Sequence, residues 1–143
     1  ITDNYNLDTT EVAMRAFALG DLLVYQQKYD EAIIKYDSVL IAFSGHTLTD
    51  EIYLRKSEIY YLQNKYNKAL SELKRIEEDW AYDILADDAL YKRAKIYENI
   101  LDDMNNAMLL YEKIILEHNS SIFVAESRKR FRELRGDNLK GEE

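Results

Sequence analysis

The chain has 143 residues, 47% of them apolar and 32% charged, which is enough for one domain with a real core and too apolar for disorder. Its net charge of -8 argues against nucleic-acid binding as the main activity, since that rests on a basic footprint. With no proline, four glycines and no cysteine it lacks the turn formers of an all-β protein and the thiols of a disulfide or thiolate metal site, and its apolar runs of about five residues fall far short of the roughly 20 a membrane helix needs.

The chain opens on Ile1 and not on methionine, so the native N-terminus, and with it any signal peptide, is expected to lie outside this sequence. Residues 1–8 read as an N-terminal extension, and Asp8 with Glu11 has the spacing of a capping box for a first helix over 9–27. A second helix follows over 30–43, with Asp30 at its start and Ala32, Tyr36 and Val39 in one stripe. Gly45 is placed as a left-handed helix stop. The third helix, 49–63, carries Asp50 and Glu51 in its first turn, and the fourth, 67–79, starts at Asn67 and repeats the stripe as Ala69, Leu73 and Ile76. Trp80 and Tyr82 then fall in a connection, where they are expected to cover a seam between hairpins. Asp87 and Asp88 open the fifth helix, 85–100; the sixth, 105–117, begins at Asn105 and carries Ala107, Tyr111 and Ile114.

The odd-numbered helices carry a small residue at a constant interval: Gly20, Ser57 and Ala94 lie 37 residues apart. Ala32 and Ala69 are also 37 apart, but Ala69 and Ala107 are 38 apart, so the third turn holds one extra residue. Two antiparallel helices approach closely only where one lacks a bulky side chain, and a large residue fills the space beside it. The last helix, 121–135, is basic, with Arg128, Lys129, Arg130, Arg132 and Arg135 against Glu126 and Glu133. A stack of hairpins exposes an apolar face at its end, and this helix covers it if Phe123, Ser127, Phe131 and Leu134 turn inward and Arg128, Arg132 and Arg135 outward. Its arginines are also placed to pair with the acidic body. Gly136 marks its stop, and 136–143 form a tail.

"ALGDLLVYQQKYDEAIIKYDSVLIAFSGH" resembles the tetratricopeptide repeat, with Leu19-Gly20, Tyr29, Ala32, Tyr36 and Val39 at signature places. The next two copies are looser: Lys56 and Arg93 stand at the leucine place, and Ser44, Ala81 and Asn119 near the usual proline. The resemblance implies an all-α protein, a right-handed α-α superhelix of three helical hairpins over about 12–46, 49–83 and 86–120, closed by the capping helix, within a domain of 9–135. "SSIFVAESRKRFRELRGD" looks like the closing helix of bacterial cell-envelope proteins of the outer-membrane assembly lipoprotein or Tol-Pal coordinator type. That likeness implies a bacterial periplasmic or envelope setting and the C-terminal part of a longer repeat protein.

Candidate chemistry is sparse. His46 and His118 are far apart in repeat order and lack the spaced ligands of a metal site. Asp102, Asp103, Asn105 and Asn106 lack the glycine and distant glutamate of a calcium loop and read as turn caps. No phosphate loop, nucleophile elbow or Cys/His pair occurs. No catalysis, cofactor or metal is expected.

By resemblance, the concave groove is lined by Phe17, Asp21 and Tyr25, then Leu54, Glu58 and Tyr61, then Tyr91, Lys95 and Glu98. Aromatic anchors among carboxylates suit a protein or peptide segment with basic character. Chaperone-tail capture is not expected, because Phe17 and Asp21 stand where that mode uses lysine and asparagine. A second possibility is structural: residues 1–8 and the exposed side of helix 9–27 pack on preceding repeats or, weakly, on a second copy.

Overall fold

A computed structural model describes residues 2–43, 48–79 and 85–136, with side chains from Thr10 onward except 77–79. Every element among the described residues is a helix: α1 (Thr2–Tyr25), α2 (Tyr29–Ala42), α3 (Thr49–Leu62), α4 (Tyr66–Asp79), α5 (Ala86–Asn99), α6 (Met104–Glu117) and α7 (Val124–Arg135). Six of the seven lie within three residues of expectation. The exception is α1, which is helical from Thr2, so Asp8 and Glu11 lie inside the helix and cap nothing at its start. The expected extension is therefore helix, and the side chain of Asp8 lies outside the described residues, as do Ser44, Gly45, His46, Trp80, Ala81, Tyr82 and the tail from 137.

Contacts divide the chain into two compact units, residues 1–69 and 70–143. In the first, α1 packs on α2 and α2 on α3 around Ala13, Ala32, Tyr36, Val39, Ile52 and Ile59. In the second, α5 packs on α6 and α6 on α7 around Leu90, Ala94, Ala107, Leu110, Tyr111, Ile114 and Val124. The alanine stripes are fully buried in each hairpin, and Gly20, Ser57 and Ala94 are all interior. Gly20 is there because of a close approach. A Cβ on it would lie 2.4 Å from Cε1 of Tyr36.

The turns inside the three hairpins share one device that the sequence pattern did not reveal. Gln27, Asn64 and Asp102 each adopt a left-handed conformation, with φ of 61°, 61° and 52°. Reversal of direction lets the next residue's N–H reach back: Lys28 to the Leu23 carbonyl, Lys65 to that of Tyr60, and Asp103 to that of Tyr97, each at 2.8 Å. The third reach is one residue longer, as the extra residue in that turn requires. Lys28 and Asp103 are the N-caps, one position after the left-handed residue. Asp30 falls within the first turn of α2, and Asn105 within α6, where Asp103 instead accepts from the Asn106 N–H. A side chain at positive φ costs roughly 1–2 kcal/mol for a residue other than glycine. Gln27→Gly is thus expected to stabilise the first hairpin by about 1 kcal/mol, read as a higher thermal midpoint, with Gln27→Asn giving a smaller gain.

The end helix behaves as a cap. Ser127 is fully buried, Phe123, Phe131 and Leu134 pack on the core cluster, and Arg128 and Arg135 are exposed. Val124 joins the interior as well. Arg132 is half-buried, not fully outward. Gly136 ends α7 in the left-handed region, φ 94°, where its N–H meets the Glu133 carbonyl at 3.1 Å.

Candidate interaction surfaces on the helical hairpins

The expected first-helix row divides by exposure. In the unit of residues 1–69, Tyr25 is 85% exposed and Tyr61 43%, with Glu58 also exposed. Leu54 is 6% exposed and belongs to the interior, so it offers no surface to a partner. Tyr61 meets Tyr66 edge-on at 5.5 Å, which fixes the ring without covering it. Phe17 is half-buried, tilted against Tyr36 at 5.7 Å, with the Arg55 guanidinium 5.6 Å from its ring.

Asp21 is engaged from two sides. The Tyr36 hydroxyl donates to Oδ1, and Arg55 Nε donates to the same oxygen at 3.2 Å. Burial, then the hydrogen bond to Asp21, hold the Tyr36 hydroxyl above the ordinary tyrosine range. Burial works against the Arg55 charge, but Asp21 and Glu58 outweigh it and raise its pKa. Aligned with this, Arg55 also lies 3.8 Å from Glu51.

The unit of residues 70–143 repeats the arrangement. Tyr111 donates to Glu98 Oε1 at 2.8 Å, Arg130 Nε donates to that oxygen at 3.2 Å, and Arg130 Nη2 pairs with Oε2. Arg130 also pairs with Glu133. Tyr36 and Tyr111 are 75 residues apart, as are Arg55 and Arg130, so the same two repeat steps carry both partners. The acid does not follow that spacing. Asp21 corresponds to Lys95 in register, and Glu98 lies nearly one helical turn further along, where a longer side chain reaches the tyrosine. Sequence reading left Arg55 unremarked and treated Arg130 as one of several cap arginines; only the shared 75-residue offset signals the pair.

Tyr91 stacks on Phe123 at 4.4 Å, meets Tyr111 at 6.2 Å, and lies under Lys95 Nζ at 5.6 Å. It is half-buried against the core, so its ring is mostly committed to packing. Of the row's carboxylates, Asp21 and Glu98 are already matched by arginines of the chain itself, and the exposed aromatics are what the row presents most openly.

Lys56, at the leucine place of its hairpin, is 5% exposed and sends Nζ to Asp37 at 2.7 Å. His118 lines an open cleft of about 680 Å³ with Asp87, Asp88 and Glu117. Among the described residues no group of three or more histidine, cysteine, aspartate or glutamate side chains is arranged to hold a metal ion. No helix among them is long and apolar enough to cross a membrane.

Residues 88–121 match the tetratricopeptide-repeat family model. The matched segment is thus the third hairpin, although the first carries the fuller Leu-Gly, Tyr, Ala signature. A tetratricopeptide repeat protein from Parabacteroides merdae ATCC 43184 is 25% identical, with 87% of this chain and 46% of that one covered at a TM-score of 0.66. The TPR2AB domain of yeast Sti1, in complex with pHSP90, is 19% identical, with 93% and 50% covered at a TM-score of 0.69. The chain spans about half the length of these solved structures. No curated protein matches it. The fold is all-α and of the tetratricopeptide solenoid class.

Proposed function

We propose that this tetratricopeptide-repeat chain is a noncatalytic protein-interaction module that holds a peptide or protein segment against its first-helix row, as the C-terminal part of a larger bacterial cell-envelope repeat protein. The observation that carries the reading is the exposure of Tyr25 and Tyr61, 85% and 43%, on the first helices of the first two hairpins. Rigid aromatic rings supply contact area at low entropic cost and are enriched among residues that dominate binding energy. Half-buried Phe17 and Asp21 and exposed Glu58 are the other row members in the unit of residues 1–69, and Tyr91, Lys95 and Glu98, all half-buried, are those in the unit of residues 70–143. Asp21 and Glu98 are partnered within the chain, so apolar contact, not bulk negative charge, is the stronger source of affinity here. In the Sti1 structure the same fold is found in a protein complex, which is in keeping with this role.

A peptide enriched from a random display library on the native chain is expected to lose at least roughly tenfold in affinity on Tyr25→Ala/Tyr61→Ala, while circular dichroism shows the helices intact. Equal affinity for the variant would move the site off this row. The envelope setting rests on the likeness of the closing helix, and fractionation of cells expressing the native gene is its check.

One observation favours a structural reading beside this one. Leu19 and Leu22 of α1 are 49% and 48% exposed, yet they share register with Lys56 and Ile59 of α3, which are 5% and 1% exposed where α3 packs on α2. The face of α1 that α3 uses for stacking is therefore open, with Val12 extending it at 53% exposure. Assembly through this face predicts a mass by light scattering that rises with concentration and stays monomeric in Leu19→Lys/Leu22→Lys. A native chain that is monomeric throughout removes the self-association version.

A further inference from the structure

The stripe of α3 that faces the first hairpin is Ile52, Lys56 and Ile59: the two isoleucines join its core cluster, and Lys56 Nζ meets Asp37 of α2 at 2.7 Å. One repeat of 37 residues earlier, the same positions of α1 are Arg15, Leu19 and Leu22, with Val12 one turn before them. Arg15 is exposed, and the three apolar side chains are each about half exposed. The order of chemistry is therefore changed, from apolar, basic, apolar on α3 to basic, apolar, apolar on α1. Helices joined by a short connection run antiparallel, so the place on α2 that faces Ile52 falls one turn C-terminal to Asp37, near Leu40.

We propose that the open α1 stripe docks an amphipathic helix of a separate partner protein, with leucine-like residues against Leu22 and Leu19 and a carboxylate one turn further along against Arg15. This rests on the assembly reading of the α1 face given above and names its occupant. Continuity with the packing of α2 on α3 supplies the helical form, because the same face of a first helix, one repeat further on, already holds a helix in this chain. Charge supplies the choice of sequence. A carboxylate placed as Asp37 is would meet Leu19 and be buried without its lysine, whereas one placed a turn away meets the Arg15 guanidinium. A helix like α2 is thus rejected and its reordered counterpart accepted. The source follows from the length of α1. The chain passes from α2 to α3 through residues 43–48 and enters α3 at Thr49, the equivalent of Val12, but α1 runs on as helix to Thr2, about 15 Å past that point. A hairpin joined as α2 is to α3 would have to enter at Val12. A second copy is the poorer fit, since its α2 is covered by α3 and its α6 by α7.

The probes are fluorescein-labelled, alanine-rich peptides of about 20 residues, held helical by a lactam bridge on the far face and followed by anisotropy on the full chain. One carries leucine, leucine and glutamate at positions i, i+4 and i+7. A second carries leucine, aspartate and leucine, the order of Ile33, Asp37 and Leu40 in α2, and a third has lysine in place of the glutamate. The glutamate peptide is expected to bind at least roughly fivefold tighter than either of the others, with Arg15→Glu reversing the preference between glutamate and lysine peptides. Leu19→Lys/Leu22→Lys should lose all three at unchanged helicity of the chain. Tyr25→Ala/Tyr61→Ala should leave binding unaltered, which separates this site from the first-helix row. The proposal is overturned if the glutamate peptide, helical by circular dichroism, fails to bind at millimolar concentration, if it binds Arg15→Glu as well as the native chain, or if the tyrosine variant loses it. A native chain whose mass rises with concentration while no peptide binds would overturn it too, assigning the face to a second copy and leaving the assembly reading in place.

Discussion

Gly20→Ala is expected to destabilise the first hairpin by about 1 kcal/mol, although alanine is the better helix former. The added methyl would sit 2.4 Å from Cε1 and 2.7 Å from Cδ1 of Tyr36. That ring is fully buried, lies against Phe17, and is tied through its hydroxyl to Asp21, so it cannot swing aside without giving up a hydrogen bond that Arg55 also supports. The propensity gain of up to about 1 kcal/mol is therefore outweighed by an overpacking cost of about 1–3 kcal/mol. A companion variant isolates the cause. Gly20→Ser/Tyr36→Leu reproduces the Ser57 and Leu73 pair found at the same register one hairpin later, both of them buried, and should be more stable than Gly20→Ser alone. Chemical denaturation measures both. A Gly20→Ala chain as stable as the native one would mean that the hairpin can open to admit the methyl, and the small-residue explanation would fail.

Gly20 also shows why the architecture was readable. A small residue every 37 positions beside an i, i+4, i+7 stripe has few explanations other than repeated close packing, and burial of Ala32, Ala69 and Ala107 bears that out. The start of α1 was not readable in the same way, because "TDNYNLDTT" carries no apolar stripe and Asp8 with Glu11 imitates a cap within a helix. The caps of α2 and α6 were displaced by two positions for a specific reason: the chain reverses at Gln27 and Asp102, as it does at Asn64, residue types that do not announce a left-handed turn as glycine does. On the candidate surface, spacing placed Leu54 and Tyr61 in one row but could not tell that one is interior and the other exposed, since both apolar types suit either place. The tyrosine, carboxylate and arginine clusters were hidden by the shift of the acid along the helix.

The second of those clusters is the more consequential for stability. In the first, Arg55 and Asp21 side chains are 33% and 40% exposed, so the pair is worth about 0–1 kcal/mol. In the second, Glu98 is 8% exposed and Arg130 22%, and the guanidinium meets both carboxylate oxygens. Arg130→Met is expected to cost about 3 kcal/mol, because it leaves a buried carboxylate with the Tyr111 hydroxyl bonded to it and the more distant charge of Lys95 in place of lost water. The pH dependence separates this from a mere packing loss. In the native chain burial pushes the Glu98 carboxyl up, but the hydrogen bonds from Arg130 and Tyr111 outweigh it and hold the group below the ordinary carboxylate range. Its contribution is therefore fully present above that range and is lost only as pH falls through the depressed folded value. Without Arg130 the desolvation, the largest single influence on Glu98, is opposed only by Tyr111 and Lys95, and the folded pKa is expected to rise above the unfolded one, so that protonating Glu98 relieves the variant. The stability gap between native and Arg130→Met chains should accordingly narrow between pH 7 and about pH 5, where native Glu98 is still ionised. Arg130→Met/Glu98→Gln should show a smaller deficit at pH 7 and no such narrowing, as urea titrations at the two pH values would record. A gap that keeps its size on acidification would show that the cost lies in lost arginine packing and not in a stranded charge.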